Sequence, residues 1–101
     1  MDLQLITCIV EKGKADRLID AAIKAGAQAA TSFYGVGRGV REKLGILGMF
    51  IRPEKEIVLI VSKSDLADHI FESVVIAGGL REPGKGFAYI QPVSNAVGFV
   101  E

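Results

Sequence analysis

The chain is poor in the residues on which several classes of protein depend. It has one cysteine, Cys8, among 101 residues, so an internal disulfide is excluded and a reducing compartment is expected. It has one histidine, His69, which excludes a metal site built from several histidines. Twelve Lys and Arg residues balance twelve Asp and Glu residues. This net charge of zero argues against general nucleic-acid binding.

Long apolar runs are also missing. No run reaches the length that a bilayer-spanning helix needs. The first residues lack the basic start and apolar stretch of a signal peptide. We therefore expect a cytoplasmic protein without membrane insertion. Half of the residues are hydrophobic, which suffices for the core of one domain covering residues 1–101.

The pattern of apolar residues predicts four strands and two helices. Strands are expected at Leu3–Val10, Gln28–Tyr34, Ile57–Val61 and Phe87–Val93. Helical spacing predicts helices at Lys14–Ala25, ended by Gly26, and from an N-cap at Ser64 to Gly78–Gly79. The tail Ser94–Glu101 is expected to add a short strand. Cys8 should be buried in the first strand, and His69 should lie on the solvated side of the second helix.

The order of these elements predicts an α+β fold of the ferredoxin-like (βαβ)2 type. Such a fold is a sandwich with a four-stranded antiparallel sheet and both helices on one face. The strand Ile57–Val61 is apolar on both of its faces, although the helices can cover one face alone. Leaving the other face in water would cost roughly 25 cal/mol per Å². Self-association into a homo-oligomer is therefore expected.

Two glycine-rich segments, each with basic residues, stand at the ends of predicted strands. One is Tyr34–Arg41 and the other is Pro83–Phe87. Glycine lets a backbone approach a ligand closely and point N–H groups at an anion. A phosphate-bearing ligand is one interpretation of both segments. An ordinary tight turn at Gly84–Gly86 and a flexible hinge at Gly35–Gly37 are the alternatives.

These segments resemble the PII family of nitrogen-regulatory signalling proteins. The matching stretches are Ala29–Arg38, Pro53–Val61 and Pro83–Ala88, and the likeness runs from Leu3 to about Val93. The resemblance implies a homotrimer that binds ADP or ATP between subunits, with the need for Mg²⁺ left open. It implies a flexible T-loop at about 37–52 and a nucleotide-binding B-loop at about 81–87. It also implies a regulator, not an enzyme, whose T-loop acts on a membrane transporter or a metabolic enzyme.

The resemblance carries over to individual residues. It implies nucleotide contacts at Ala29, Thr31, Gly35, Gly37, Arg38, Gly84, Lys85, Gly86 and Phe87. Within the T-loop, the apolar stretch Leu44–Ile51 is flanked by basic residues, which suits a docking surface. The alternative is that this stretch folds back as a strand extension and packs on its own trimer. The predicted partner contacts are Arg41, Lys43, Leu47, Met49 and Phe50. No nucleophile with a base and an orienting group can be recognised, so no catalytic residue is predicted.

The chain also departs from the family pattern. Gly39 stands where the best-known members have a glutamine that helps to bind 2-oxoglutarate, so 2-oxoglutarate binding is not expected. Gly35 through Val61 contains no Ser, Thr or Tyr for T-loop modification. Ser94–Glu101 contains no Arg or Lys, which implies a lighter hold on phosphates. The alternative function is that of a non-signalling, CutA-like trimer with a structural or metal-handling role.

Overall fold

The computed structural model describes residues 2–37 and 54–100. Its elements follow the predicted order, with a strand, a helix and a strand in each half. They are β1 (Leu3–Glu11), α1 (Ala15–Lys24), β2 (Thr31–Val36), β3 (Glu54–Lys63), α2 (Ser64–Gly78) and β4 (Phe87–Val93).

The four strands form one antiparallel sheet in the order β2-β3-β1-β4. The most apolar strands, β1 and β3, occupy the centre, where both of their edges are paired. Ile6 of β1, for example, lies between Ile60 of β3 and Ile90 of β4. This topology confirms the predicted ferredoxin-like fold.

The core lies between the sheet and the two helices. Along β3, every second side chain from Glu56 to Ser62 is buried and the residues between them are half-buried. The helices contribute fully buried side chains such as Leu18 and Ile70. Burying a side chain of this size contributes about 1.5–3 kcal/mol. Within the described ranges, neither helix is long and apolar enough to cross a membrane.

The opposite face of the sheet is apolar and is covered by neither helix. Its central residues are Ile57, Leu59 and Val61, all half-buried. Towards the edges it carries Phe33 and Phe87, which are 48 % and 61 % exposed. We call this surface the open sheet face. Its composition matches the prediction that β3 is apolar on both sides.

The strand pairing corrects two predicted boundaries. β2 starts at Thr31 and not at Gln28, because its ladder with β3 runs from Thr31 opposite Leu59 to Val36 opposite Glu54. β3 extends beyond Ile57–Val61 in both directions, because its polar ends still pair with β1.

Two predictions were wrong: the N-cap of α2 and the short strand in the tail. Ser64 is the first residue of α2, and its N-cap is the extended residue Lys63. The Ser64 hydroxyl instead accepts a hydrogen bond from the Gln4 side-chain amide at 3.2 Å. Residues 94–100 form no strand. The ladder between β1 and β4 ends where Leu3 meets Val93, so β1 offers the tail no further partner.

Candidate functional site

The predicted B-loop contains a tight turn formed by Glu82, Pro83, Gly84 and Lys85. The Lys85 N–H donates a hydrogen bond to the Glu82 carbonyl at 3.4 Å. Gly84 has φ +82°, which a type II turn requires at its third position, and Pro83 suits the second. The turn engages the N–H of Lys85. Lys85 can therefore offer a ligand its ammonium group but not its backbone donor.

Gly86 fixes this turn against the end of β1. A Cβ at this position would lie 2.7 Å from the Ile9 carbonyl oxygen and 3.0 Å from Cγ1 of Val10. Its φ of +142° also disfavours any residue with a side chain. Glycine is therefore required here by packing, and the packing determines where Lys85 emerges.

A cleft of about 370 Å³ opens next to the B-loop, between the start of α1 and the end of α2. We call it the basic cleft, because three cationic side chains line it: Lys14, Arg17 and Lys85. The remaining lining residues are Val10, Glu11, Leu18, Ile76, Ala77, Gly78, Gly79 and Glu82. The structure thus brings the predicted Lys85 together with two cations that no sequence motif indicated.

The start of α1 is held by a carboxylate from β3. Glu56 is 8 % exposed, and its Oε1 accepts hydrogen bonds from the N–H groups of Gly13 at 2.6 Å and Ala15 at 3.4 Å. Lys14, the N-cap residue of α1, has no capping hydrogen bond from its own side chain. Glu56 takes over that role from a distant strand. It thereby anchors the backbone on both sides of Lys14.

Arg81, at the start of the B-loop, is already paired. Its two terminal nitrogens donate hydrogen bonds of 2.8 Å each to the two carboxylate oxygens of Glu72 on α2. This side-chain hydrogen bonding lowers the pKa of Glu72 and raises the pKa of Arg81. Arg81 therefore ties the loop to α2, and Lys85 is the B-loop cation that faces the basic cleft.

Two further predicted nucleotide contacts are glycines at the end of β2: Gly35 lies within the strand and Gly37 directly follows it. A Cβ on Gly35 would lie 2.9 Å from Cδ1 of Ile57, and one on Gly37 would lie 3.2 Å from Cγ of Lys55. Small residues are therefore favoured here by the neighbouring side chains of β3, whether or not a ligand binds.

Ala29 and Thr31 line a second cleft, on the open sheet face and beside the tail. Its volume is about 420 Å³. Its other lining residues are Leu5, Gln28, Ala30, Leu59, Val61, Gly98, Phe99 and Val100. Most of these side chains are apolar, so this cleft suits an uncharged, flat group better than a phosphate.

The predicted nucleotide contacts are divided between opposite edges of the sheet. Gly35 belongs to β2, whereas Phe87 begins β4, and β3 and β1 lie between them. Three strand spacings separate the two edges, which is about 14 Å. Within one chain, these two groups of residues therefore do not surround a common space. Arg38 and the predicted partner contacts Arg41, Lys43, Leu47, Met49 and Phe50 lie outside the described residues.

The remaining candidates are a thiol and an imidazole. Cys8 is fully buried in β1, as predicted, and burial raises its pKa to about 11. His69 is exposed on α2, also as predicted. In the part of the chain that the structure describes, no three His, Cys, Asp or Glu side chains form a group that could hold a metal ion.

Sequence reasoning missed Lys14, Arg17 and Glu56. Lys14 and Arg17 are three residues apart at the start of a helix, a spacing that puts both on one side of it. That spacing was the available signal. Their proximity to Lys85, and the contact of Glu56 with α1, depend on tertiary packing and have no local signature.

Comparisons with known proteins agree with the fold. The family model for nitrogen regulatory protein P-II matches residues 3–99. A curated relative, the nitrogen fixation nifHD region glnB-like protein 1 of Methanococcus maripaludis, is 24 % identical over 95 residues, covering 93 % of this chain and 90 % of the relative. The crystal structure of Arabidopsis thaliana PII bound to citrate superposes with a TM-score of 0.68 at 21 % identity, covering 91 % of this chain and 75 % of that one. On the strength of a family match along nearly its whole length, this chain belongs to the nitrogen regulatory protein P-II family.

Proposed function

We propose that this P-II protein is a regulatory homotrimer that binds ADP or ATP in the clefts between its subunits. The observation that carries the proposal is the division of the predicted contacts between β2 and β4, at opposite edges of the sheet. A second copy is the simplest way to bring residues from both edges around one ligand. In this arrangement the apolar cleft at Ala29 and Thr31 receives the base, and Lys85 faces the phosphates.

The open sheet face supports assembly. Phe33, Ile57 and Phe87 lie in one row across three strands, and Ile9 of β1 completes that row. Burying such a surface between copies would remove it from water and add to stability. Three subunits with inward-facing sheets would leave their helices on the outside.

Regulation would follow from unequal binding to different conformations of the T-loop. Gly37 lies at the base of that loop, and Gly35 lies two residues earlier in β2. A nucleotide that contacts one loop conformation better than another shifts the population towards it. The proposed output is contact with a transporter or a metabolic enzyme in the cytoplasm. The citrate-bound relative supports the more general idea that a P-II fold can hold a small anionic effector.

Calorimetry and light scattering on the purified protein test this function together. We expect the mass of a trimer, and heats of binding for ADP and ATP, each measured with and without Mg²⁺. A charged hydrogen bond contributes about 1.5–3 kcal/mol, so Lys85→Ala and Arg38→Ala should each weaken nucleotide binding about tenfold to a hundredfold.

Two results would contradict the proposal. A monomer at micromolar concentration would remove the inter-subunit site. A trimer that takes up neither ADP nor ATP would favour the structural alternative. 2-Oxoglutarate with Mg-ATP serves as a specificity control, and no additional heat is expected from it because Gly39 has no side chain to contact it.

A further inference from the structure

The tail brings one aromatic side chain, Phe99, back across the end of the sheet. β4 ends at Val93, at one edge of the sheet. Further along the tail, Phe99 lines the cleft of about 420 Å³ on the open sheet face, together with Val61 of β3. We call this cleft the apolar cleft. Phe99 is half-buried, whereas every other residue of 94–100 is exposed. The tail therefore places a single side chain firmly against the apolar cleft.

Phe99 also lines a second, smaller cavity. This cavity has a volume of about 80 Å³ and lies between the end of α1 and the start of α2, where Gly26 and Leu66 line it. Gln28 and Val61 line both the small cavity and the apolar cleft. Phe99 is therefore a partition between two neighbouring spaces, and part of its apolar surface faces the larger one.

The remaining wall of the apolar cleft suits an uncharged, flat group. Leu5 of β1 and Val61 of β3 are directly paired across the sheet, and Leu59 lies two residues before Val61. The described residues that line the cleft include no charged side chain, and the polar side chains among them are Gln28 and Thr31. An amide and a hydroxyl can exchange hydrogen bonds with the edge of a heterocyclic base. The volume of about 420 Å³ lies within the range of small-molecule sites.

Phe99 has two roles open to it, fastening the tail to the sheet and contacting a ligand. Fastening requires only an apolar side chain of about the right size, and leucine would serve. An aromatic ring adds a flat face on which any nucleobase can stack. Stacking would also cover the part of the Phe99 surface that the sheet and the helices leave open. The aromatic character of this residue and its partial exposure beside a cleft together favour contact with a ligand.

We propose that Phe99 contacts the base of the bound nucleotide, its ring stacking on the purine within the apolar cleft. This role rests on the proposed nucleotide-binding function, which seats the base in the same cleft, and it adds a residue that lies outside both glycine-rich segments. The tail from Ser94 to Glu101 has no Arg or Lys with which to hold phosphates. Through Phe99 it contributes instead to the affinity for the base, at the opposite end of the ligand.

Calorimetric titration of four proteins with ADP, ATP, adenosine and inorganic pyrophosphate tests this role. The proteins are the wild type, Phe99→Ala, Phe99→Leu and the matched control Val97→Ala. Val97 is a fully exposed apolar residue of the same tail and lines neither cavity.

Loss of the ring should weaken binding of every ligand that carries the base. We expect Phe99→Ala to bind ADP, ATP and adenosine about fivefold to a hundredfold more weakly than the wild type, and pyrophosphate equally well. Phe99→Leu retains an apolar anchor for the tail but no ring, so most of the loss should persist. Val97→Ala should match the wild type. Thermal unfolding of each variant verifies that its fold is intact.

The outcomes separate the role of Phe99 from the function on which it rests. If the wild type binds ADP and Phe99→Ala binds it equally well, stacking is wrong and the proposed function stands. Wild-type affinity in Phe99→Leu would also overturn stacking, because an apolar anchor would then suffice. An equal loss in Val97→Ala, or an equal loss of pyrophosphate binding in Phe99→Ala, would show an effect of the tail unrelated to the base. If adenosine binding depends on Phe99 while neither ADP nor ATP binds, the aromatic contact stands and the nucleotide function fails. If none of the base-containing ligands binds the wild type, both proposals fail.

Discussion

The carboxylate of Glu56 in β3 accepts a hydrogen bond from the N–H of Gly13, with 2.6 Å between nitrogen and oxygen. A second, longer contact reaches Ala15. Glu56 and Gly13 are 43 positions apart in the chain. Their contact joins the central sheet to the start of α1, and therefore to one wall of the basic cleft.

Removing this carboxylate should destabilise the fold. Glu56→Ala leaves two N–H groups at the start of α1 without their acceptor, and we expect the free energy of unfolding to fall by about 1–3 kcal/mol. Urea unfolding at one fixed protein concentration measures the change, since assembly makes stability depend on concentration. Glu56→Gln is the matched control, because its amide oxygen can still accept a hydrogen bond. Equal stability of Glu56→Ala and the wild type would mean that the contact does not hold the helix.

A second prediction concerns the seating of the B-loop. Gly86→Ala places a methyl group 2.7 Å from the Ile9 carbonyl oxygen, at a φ of +142°. Backbone strain of this kind costs about 1–3 kcal/mol, and the steric clash adds to it. The midpoint of thermal unfolding should fall by roughly 4–8 °C for each kcal/mol lost.

Gly98→Ala is the control for the B-loop variant. Gly98 also has a positive φ, +94°, but a Cβ there meets no atom within 4 Å. It should therefore show backbone strain without a clash, and a smaller loss of stability. If both variants lose the same amount, close packing of Gly86 on β1 is not what requires glycine.

Sequence periodicity was sufficient to predict the fold because each half of the chain has strong local signals. The continuous, largely β-branched apolar run Ile57–Val61 and the glycine after α1 are both signals that depend on nearby residues alone. The boundaries of β2 were harder, because its pairing with β3 defines them and β2 itself is largely exposed. An exposed strand carries little hydrophobic pattern from which its ends could be predicted.

The candidate site was less predictable than the fold. Lys85 lies in a glycine-rich motif, and this motif was enough to predict it as a candidate site residue. Lys14 and Arg17 resemble any exposed cations at the start of a helix, and their proximity to Lys85 depends on where the B-loop lies. The contact of Glu56 with α1 could not be predicted for the same reason, because the hydrogen-bond partners of a carboxylate in an apolar strand are set by tertiary packing.

The open sheet face should drive trimer formation. Light scattering is expected to give about three times the chain mass of 10.8 kDa. Ile57→Glu puts a charge in the centre of this face, where burial would be costly, and should shift the mass towards that of a monomer. Ile23→Glu is the matched control, since Ile23 is an exposed apolar residue on α1 at 49 % exposure. Circular dichroism distinguishes dissociation from unfolding. A trimer that tolerates Ile57→Glu would have a different interface.

The T-loop should be an output element and not part of the core. Deleting Glu42 through Met49 is expected to leave the trimer intact and to change nucleotide affinity only modestly, because the proposed contacts lie at the base of the loop. Light scattering and calorimetry measure both properties. The triple variant Leu47→Ala, Met49→Ala and Phe50→Ala tests the apolar anchors without shortening the loop, and it should bind a regulated partner more weakly. Loss of the trimer on deletion would instead identify the loop as structural.

Burial should make Cys8 a sensitive reporter of unfolding. With a pKa of about 11, roughly 0.1 % of the thiol is ionised at pH 8, against roughly 10 % at the ordinary value of 9.0. Labelling with a thiol reagent should be at least about a hundredfold slower in the folded protein than in guanidinium chloride. The raised pKa also predicts how stability depends on pH. As the pH rises, the Cys8 thiol of the unfolded chain ionises before the thiol of the folded chain. The free energy of unfolding should therefore keep its full value below pH 9 and fall as the pH rises from about 9 to about 11. Rapid labelling of the folded protein at pH 8 would contradict the burial of β1, whereas slow labelling that accelerates with urea would measure the opening of the sheet directly.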